Sequence, residues 1–433
     1  MKRIIFLALC FLFFTTACTQ NVEEKDVLTF WTLQMGSFSE YMNEIIQNYE
    51  SKHPDVKIVW VDVPFSEGEK RTLAAVLGNN PPDLINLNPD FSALLAQRGA
   101  LEKIPEAKAV KYNSQIIESL KYDGELFSLP WYATSSVTFV NKDLLSKTEI
   151  GKTEVATKKV RKWVSARRFK MVDYKYNKVI NELPLSYTQM NNYAISAKEA
   201  SGVYIYTPNL VENDTMFRIL KKYGIDSPET ITSEYSVELF DQFKTVYQAG
   251  ALPKEIISIT QREAFEQYMA GKSIFFQAGA NFLKMLKENA PNVYKVTDVK
   301  PQLMGRKGLY DFSLMNFVIP VKAKNKELAI DFCLYLTNAE NQLKLAKLTN
   351  IIVTNNEALN SSFYNDYSSL ESKARSIGAN QLRKLLPIRQ FKRQKELNNL
   401  INTAVQKILV SKKNDTKEIL EKLSQDWALL ISE

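Results

Sequence analysis

Three features of this 433-residue chain predict an α/β fold in which sheets are flanked by helices. The chain opens on a strand–helix–strand alternation between Val27 and Val63. Apolar runs of strand length then recur beside helical patterns, at Pro82 to Leu87 and at Ser273 to Gly279. Composition is that of an ordinary globular protein, 45% hydrophobic and 24% charged, and the length suits two or three domains with sizeable cores.

The N-terminus reads as an export signal over residues 1–17: Met1-Lys2-Arg3, then an apolar run from Ile4 to Phe14, then Thr15-Thr16-Ala17-Cys18. The apolar run falls short of the roughly 20 residues that span a bilayer. Thr-Thr-Ala-Cys resembles a bacterial lipobox, with Thr15 where an aliphatic residue is usual, and makes Cys18 the expected site of an acyl (palmitate) anchor. An ordinary secretory signal cut nearby is the alternative. Residues 18–26 are polar and read as a tether. Of the three cysteines, Cys10 leaves with the signal and Cys333 falls in the apolar helical pattern Leu328 to Leu336, so no disulfide of the folded body is expected.

Val27 to Trp31 is the first predicted strand. Phe38 to Tyr49 is an amphipathic helix with Tyr41, Ile45, Ile46 and Tyr49 on one stripe, and Val56 to Val63 is the next strand. This unit implies a parallel pair with a right-handed crossover. Trp31 and Gln34 fall just past the first strand's carboxyl end, where open α/β sheets place ligands. Lys70 to Leu77 is a helix stopped by Gly78. Asn88 and Asp90 follow the strand ending at Leu87, and Asp83 reads as a structural turn cap.

Gly124 to Leu145 is the stretch around which the rest is arranged. Asp123-Gly124 is a turn into a strand ending at Leu129, which Pro130 is expected to break because it has no N–H to donate. Trp131 and Tyr132 follow as two large aromatics with polar edges. Val137 to Val140 is a second strand, and Asn141 a turn or cap residue. Residues 151–184 then carry ten Lys or Arg against three Asp or Glu. With Lys2 and Arg3 lost with the signal, this segment holds about the whole remaining excess of the formal charge of +8, which argues against a nucleic-acid surface spread over a domain. Further predicted helices are Val237 to Ala249, Ala264 to Ala270, Leu397 to Val410 and an Asp415-capped helix ending near Leu430.

Gly-x-x-Phe-x-Leu-Pro from Gly124, then Phe139-Val140-Asn141-Lys142-Asp143-Leu144, resembles the extracellular solute-binding proteins of ABC importers, in their sugar-binding cluster. Other stretches match in order: Phe30-Trp31, Tyr49-Glu50 with His53-Pro54-Asp55-Val56, Pro82-Asp83, Gly99-Ala100-Leu101, Pro184 to Met190, Gly271-Lys272, and Asn325 to Phe332. The resemblance lapses over 151–184, and the Trp that the family carries near Asn281 and Phe282 is missing. It implies a two-lobed, type II periplasmic-binding-protein-like fold with crossing hinge segments. Lobe 1 would be 27–136 and 300–350, and lobe 2 would be 137–299 and 351–433. The implied protein is a monomeric receptor that closes its lobes on a sugar or oligosaccharide and delivers it to a membrane permease. Trp131 and Tyr132 would stack on the solute with Trp31 in support. Gln34, Asn88, Asn209, Gln277 and Asn316 would hydrogen-bond to it, with Tyr206 and Phe276 beside them. The same fold serving a non-sugar solute, or binding an envelope polymer through the basic insert, stays open.

His53 is the sole histidine, which excludes a histidine-based triad and a multi-histidine metal site within one chain. No phosphate loop or dinucleotide-binding turn occurs. No cofactor, metal or catalytic residue is therefore expected.

Overall fold

The computed structural model describes residues 25–165, 168–179, 182–387, 393–413 and 415–432; the signal, Cys18 and the rest of the tether up to residue 24 lie outside them. Its strands in chain order are β1 (Asp26–Leu33), β2 (Val56–Val63), β3 (Leu84–Leu87), β4 (Lys121–Tyr122), β5 (Glu125–Leu126), β6 (Ser128–Thr134), β7 (Ser136–Asn141), β8 (Thr153–Ser165), β9 (Arg168–Val179), β10 (Tyr204–Tyr206), β11 (Ser273–Gly279), β12 (Thr297–Pro301), β13 (Ser313–Val318) and β14 (Ile352–Val353).

Two main sheets result. The first runs β14-β6-β13-β3-β1-β2 and the second β10-β11-β7-β12. β1 and β2 pair in parallel, from Asp26 opposite Val56 to Leu33 opposite Val63, with the helix Ser39–Lys52 as their crossover. That helix buries Tyr41, Met42, Ile45, Ile46 and Tyr49, the stripe its 3.6-residue period dictates. Each sheet has apolar clusters on both faces, so each lobe is a three-layer sandwich. In lobe 1, Phe30, Leu84, Trp131 and Phe317 fill one face, and Ile85, Leu87, Val318 and Phe91 the other. In lobe 2, Val140 and Phe275 look one way, towards Phe217 and Trp427; Phe139, Phe276 and Val299 look the other. The helices Gln394–Val410 and Thr416–Ser432 complete the second lobe, and Trp427 is buried edge-on to Phe217 at 5.6 Å. Cys333 is a buried free thiol, its pKa pushed up by burial.

Two features differ from the sequence reading, and a third is one that it left open. Pro130 does not break its strand: β6 runs through it from Ser128 to Thr134. The ladder to β13 shifts register at Met315/Asn316, opposite Pro130–Trp131, and on its other side β6 meets only the two residues of β14, at Ala133 and Tyr132. The proline thus sits at an irregularity where no N–H is demanded of it. Second, residues 349–354 do not leave lobe 1. Ile352 and Val353 pair antiparallel to β6, Thr354 Oγ1 donates to Pro130 O at 3.1 Å, and Ala358 and Tyr364 remain in the lobe 1 core. The chain has entered lobe 2 by Leu370, and the helix Leu370–Gln381 carries it back, with Ala374 packed into lobe 2 and Ala379 into lobe 1. Third, the basic insert is built as a long antiparallel hairpin, β8 with β9, in a two-stranded sheet of its own.

Candidate functional site

A cleft runs between the lobes, with the crossing segments as its floor. It opens into three adjoining cavities of about 570, 520 and 320 Å³. Arg218, Asp311 and Ser313 line all three, so they stand at the junction.

The floor is tied by one polar network. Ser135, between β6 and β7, accepts hydrogen bonds at Oγ from Gln302 Nε2 (3.0 Å) and Gln381 Nε2 (2.9 Å). The Gln302 backbone N–H donates to Gln381 Oε1 at 2.7 Å. These three residues come from three different crossing segments, so the hinge is pinned by side chains that pair with one another. Gly378 lets the helix Leu370–Gln381 lie this close, since a Cβ there would meet Ile352 Cδ1 at 3.1 Å.

Gln302 Oε1 also accepts from Lys222 Nζ at 2.6 Å, and Lys222 pairs with Asp311 Oδ1 at 2.5 Å. Arg218 bridges Asp214 (2.7 Å) and Asp311 (3.3 Å). Burial alone would raise the Asp311 pKa, but Lys222 and Arg218 hold it well below the usual carboxylate range. Burial lowers the Lys222 pKa against the pull of Asp311. Burial would also lower the Arg218 pKa, yet Asp214 and Asp311 keep it raised.

The 570 Å³ cavity has walls from both lobes. Lobe 1 supplies Gln34, Phe38, Phe65, Tyr132 and Asn350; lobe 2 supplies Asn281 and Phe282. Gln34 adopts a left-handed backbone (φ 55°) that turns the chain off the end of β1. Asp62 fixes that turn by accepting from the Met35 and Gly36 N–H groups, both at 2.8 Å. Tyr132 is half-buried at the cleft wall, its hydroxyl pushed up to about 12 by burial. Phe65 is 57% exposed and lines two of the three cavities.

The residues singled out by sequence fall into three groups. Gln34 and Tyr132 line the main cleft, and Asn88 lines the 520 Å³ cavity while capping the helix Pro89–Gln97 through Phe91 N. Tyr206, Asn209, Phe276 and Gln277 line the smallest cavity in lobe 2. Their polar groups are already engaged: Tyr206 with Asn191 (2.8 Å), Asn209 with Glu212 (2.6 Å), and Gln277 with Tyr187 and Leu303 N (both 2.9 Å). The Phe276 ring packs among Phe139, Phe265, Tyr268 and Phe282.

Trp31, Trp131 and Asn316 line none of the three cavities. Trp31 packs against the Leu33–Val63 core, and Asn316 is fully buried, donating to Ser92 Oγ at 2.9 Å. Trp131 is fully buried on Phe317, with ring centroids 4.7 Å apart. Consecutive strand residues leave on opposite faces, so Trp131 entering the core is what turns Tyr132 outward.

Sequence reasoning missed Phe65, Arg218, Asp311 and Arg375. The i, i+4 spacing of Asp214 and Arg218 was a readable helix pair, but the partner that matters, Asp311, is remote in sequence. Among the described residues, no group of acidic, histidine or cysteine side chains could hold a metal ion.

Comparison with known proteins agrees with this architecture. Residues 44–372 match the family model described as bacterial extracellular solute-binding protein. The galactooligosaccharide-binding protein of Bacillus subtilis (strain 168) is 23% identical over 397 residues, covering 89% of this chain and 86% of that protein. Among solved structures, a candidate oligosaccharide periplasmic-binding protein from Synechococcus sp. MITs9220 superposes with a TM-score of 0.78 at 25% identity, over 94% of this chain and 99% of that one. The extracellular solute-binding protein of Staphylococcus aureus, solved with maltose, gives 0.70 at 16% identity, over 94% and 98%. A two-lobed body, a cleft floored by crossing segments and a family match over most of the chain describe a solute receptor and not an enzyme: the chain belongs to the bacterial extracellular solute-binding proteins.

Proposed function

We propose that the solute is a neutral oligosaccharide, captured by closure of the lobes and handed to the membrane permease of an ABC importer. One observation carries this reading. The charged side chains lining the 570 Å³ cavity are Arg218, Asp311 and Arg375, and each is already paired: Arg218 with Asp214 and Asp311, Asp311 with Lys222, Arg375 with Asp366. A charged solute would find no spare counter-charge there. What the cleft offers is aromatic surface at Phe38, Phe65, Tyr132, Phe282 and Phe312, edged by the amides of Gln34, Asn281 and Asn350. Apolar ring faces with a few polar edges suit a sugar, whose C–H faces are apolar and whose rim is hydroxylated. The names of the relatives from Bacillus subtilis and Synechococcus point the same way.

A thermal-unfolding screen against mono- and oligosaccharides, amino acids and polyamines tests it. A saccharide at 100 times its Kd will add about 2.7 kcal/mol of stability. X-ray scattering with the same saccharide will show a smaller radius of gyration, because the ligand favours the closed state by its differential affinity. Stabilisation by amino acids or polyamines alone would overturn the proposal.

We further propose that the receptor is tethered, as a monomer, on the extracytoplasmic side of the cell membrane by an acyl chain on Cys18. Cys18→Ser is expected to move the protein from the membrane fraction to the soluble exported fraction. Retention of that variant in the membrane would refute the anchor.

A further inference from the structure

We infer that the β8–β9 ribbon is a membrane-contact element, whose lysine-rich face meets the anionic headgroups of the bilayer beneath the receptor. The ribbon leaves lobe 2 after Ile150 and returns before Tyr187, both buried in that lobe's core. Between them it forms a two-stranded sheet of its own, and neither strand packs along any other helix or strand of the described residues. Lys159, Met171 and Asp173 on it are exposed. A lone two-stranded ribbon is marginal in water, because it buries too little to offset the entropy of ordering it. A partner surface supplies what the two lobes do not.

The register states what that partner carries. Residues directly opposite each other share a face, and alternate residues along a strand lie on the same one. Glu154 pairs with Lys178, Lys158 with Tyr174 and Lys162 with Lys170, all on one face, so that face holds four lysines against one glutamate. Lys162 opposite Lys170 is a like-charge pair, which costs stability unless counter-charge comes from outside the chain. On the other face Lys159 is answered by Asp173. The lysine face therefore complements an anionic surface.

Two observations favour a bilayer over a soluble polyanion. Trp163 opposite Phe169 is the last pair before the register shifts beside the turn, and aromatic residues concentrate at the headgroup level of membranes. On the acyl anchor proposed above, the chain from Cys18 to Asp26 spans at most about 30 Å when fully extended. β8 has 13 residues and is about 40 Å long, so the ribbon is long enough to cross that gap.

Sedimentation with lipid vesicles tests this on the unacylated Cys18→Ser protein, so the outcome does not depend on the anchor. Phosphatidylcholine vesicles with a quarter phosphatidylglycerol are expected to bind at least about tenfold more tightly than phosphatidylcholine alone, and high salt should abolish the difference. Lys158→Gln, Lys162→Gln, Lys170→Gln and Lys178→Gln combined should weaken binding to the anionic vesicles by at least about a hundredfold, since each basic residue near such a surface is worth about fivefold. These changes remove the Lys162–Lys170 repulsion, so they do not weaken the ribbon itself. Trp163→Ala with Phe169→Ala should cost about tenfold with the charge unaltered. Saccharide binding should be unchanged in both variants, because no ribbon residue lines the three cleft cavities among the described residues. Equal binding to both kinds of vesicle, or full binding by the lysine variant, overturns the inference. Full binding by the aromatic variant overturns it too and makes a soluble wall polyanion the partner, as does retention on poly(glycerol phosphate) without binding to vesicles.

Discussion

Asp311→Asn is expected to lower the unfolding free energy by roughly 3–5 kcal/mol, the cost of removing one member of a buried ion pair and leaving the other uncompensated. The stranded group is Lys222, which is 2% exposed and whose other hydrogen bonds among the described residues go to Gln302 Oε1 and Leu303 O. Arg218 is less affected because Asp214 remains beside it at 2.7 Å. The penalty belongs to the unpaired charge rather than to the bond. The double variant Asp311→Leu with Lys222→Met should therefore recover most of the lost stability. Acid unfolding supplies a second readout. The Asp311 carboxyl lies below its unfolded value of about 3.9, so its contribution is complete above that pH and is lost as pH falls through the folded pKa. The wild type should lose stability from about pH 5 downward more steeply than Asp311→Asn does. Equal melting curves and parallel pH profiles for the two proteins would show that the pair is solvated and that the junction of the three cavities is looser than drawn.

That pair also shows where sequence reading stops. Local chemistry was legible at Asn141 before Lys142, read as a turn or cap residue and found capping its helix, whereas Asn88 and Ser186 also cap helices but were not read as caps. The β–α–β opening was legible because its two periodicities are strong and adjacent. Asp311 was not, because nothing within a helical turn of it announces Lys222 or Arg218; the contact exists only once β12 and β13 have been placed in different lobes. Pro130 misled for a related reason. Its missing N–H matters only if a neighbour asks for it, and the two-residue length of β14 and the register shift of β13 ensure that none does. The same limit governs the cleft. Position after a strand end found Gln34 and Asn88, whereas Phe65, at the start of its helix, and Phe282, beyond β11, reach the cleft through geometry that spacing does not encode.

Trp131 and Tyr132, adjacent and both aromatic, should give opposite phenotypes. Tyr132→Ala is expected to weaken binding of the saccharide that most stabilises the protein by about 2 kcal/mol, roughly 30-fold in Kd, since truncating a central aromatic of a binding surface costs on that order. Its effect on stability should be the smaller of the two, because the ring is only half-buried. Trp131→Ala should instead destabilise the fold by roughly 3–5 kcal/mol, the usual cost of emptying a large aromatic site in a core. Its ring is fully buried, 4.7 Å from Phe317 and 5.1 Å from Tyr132, and no solute can reach it without unpacking lobe 1. Trp131→Phe separates volume from chemistry. The indole N–H has no partner among the described residues, so removing it relieves an unmet donor and offsets part of the lost packing. The phenylalanine variant should thus lie much nearer to wild type than to alanine in thermal unfolding. Titration at a temperature where all three variants are folded completes the test. If Trp131→Phe abolishes binding while Tyr132→Ala leaves it intact, the solute engages the tryptophan in a closed state whose β6 packing differs from that described here.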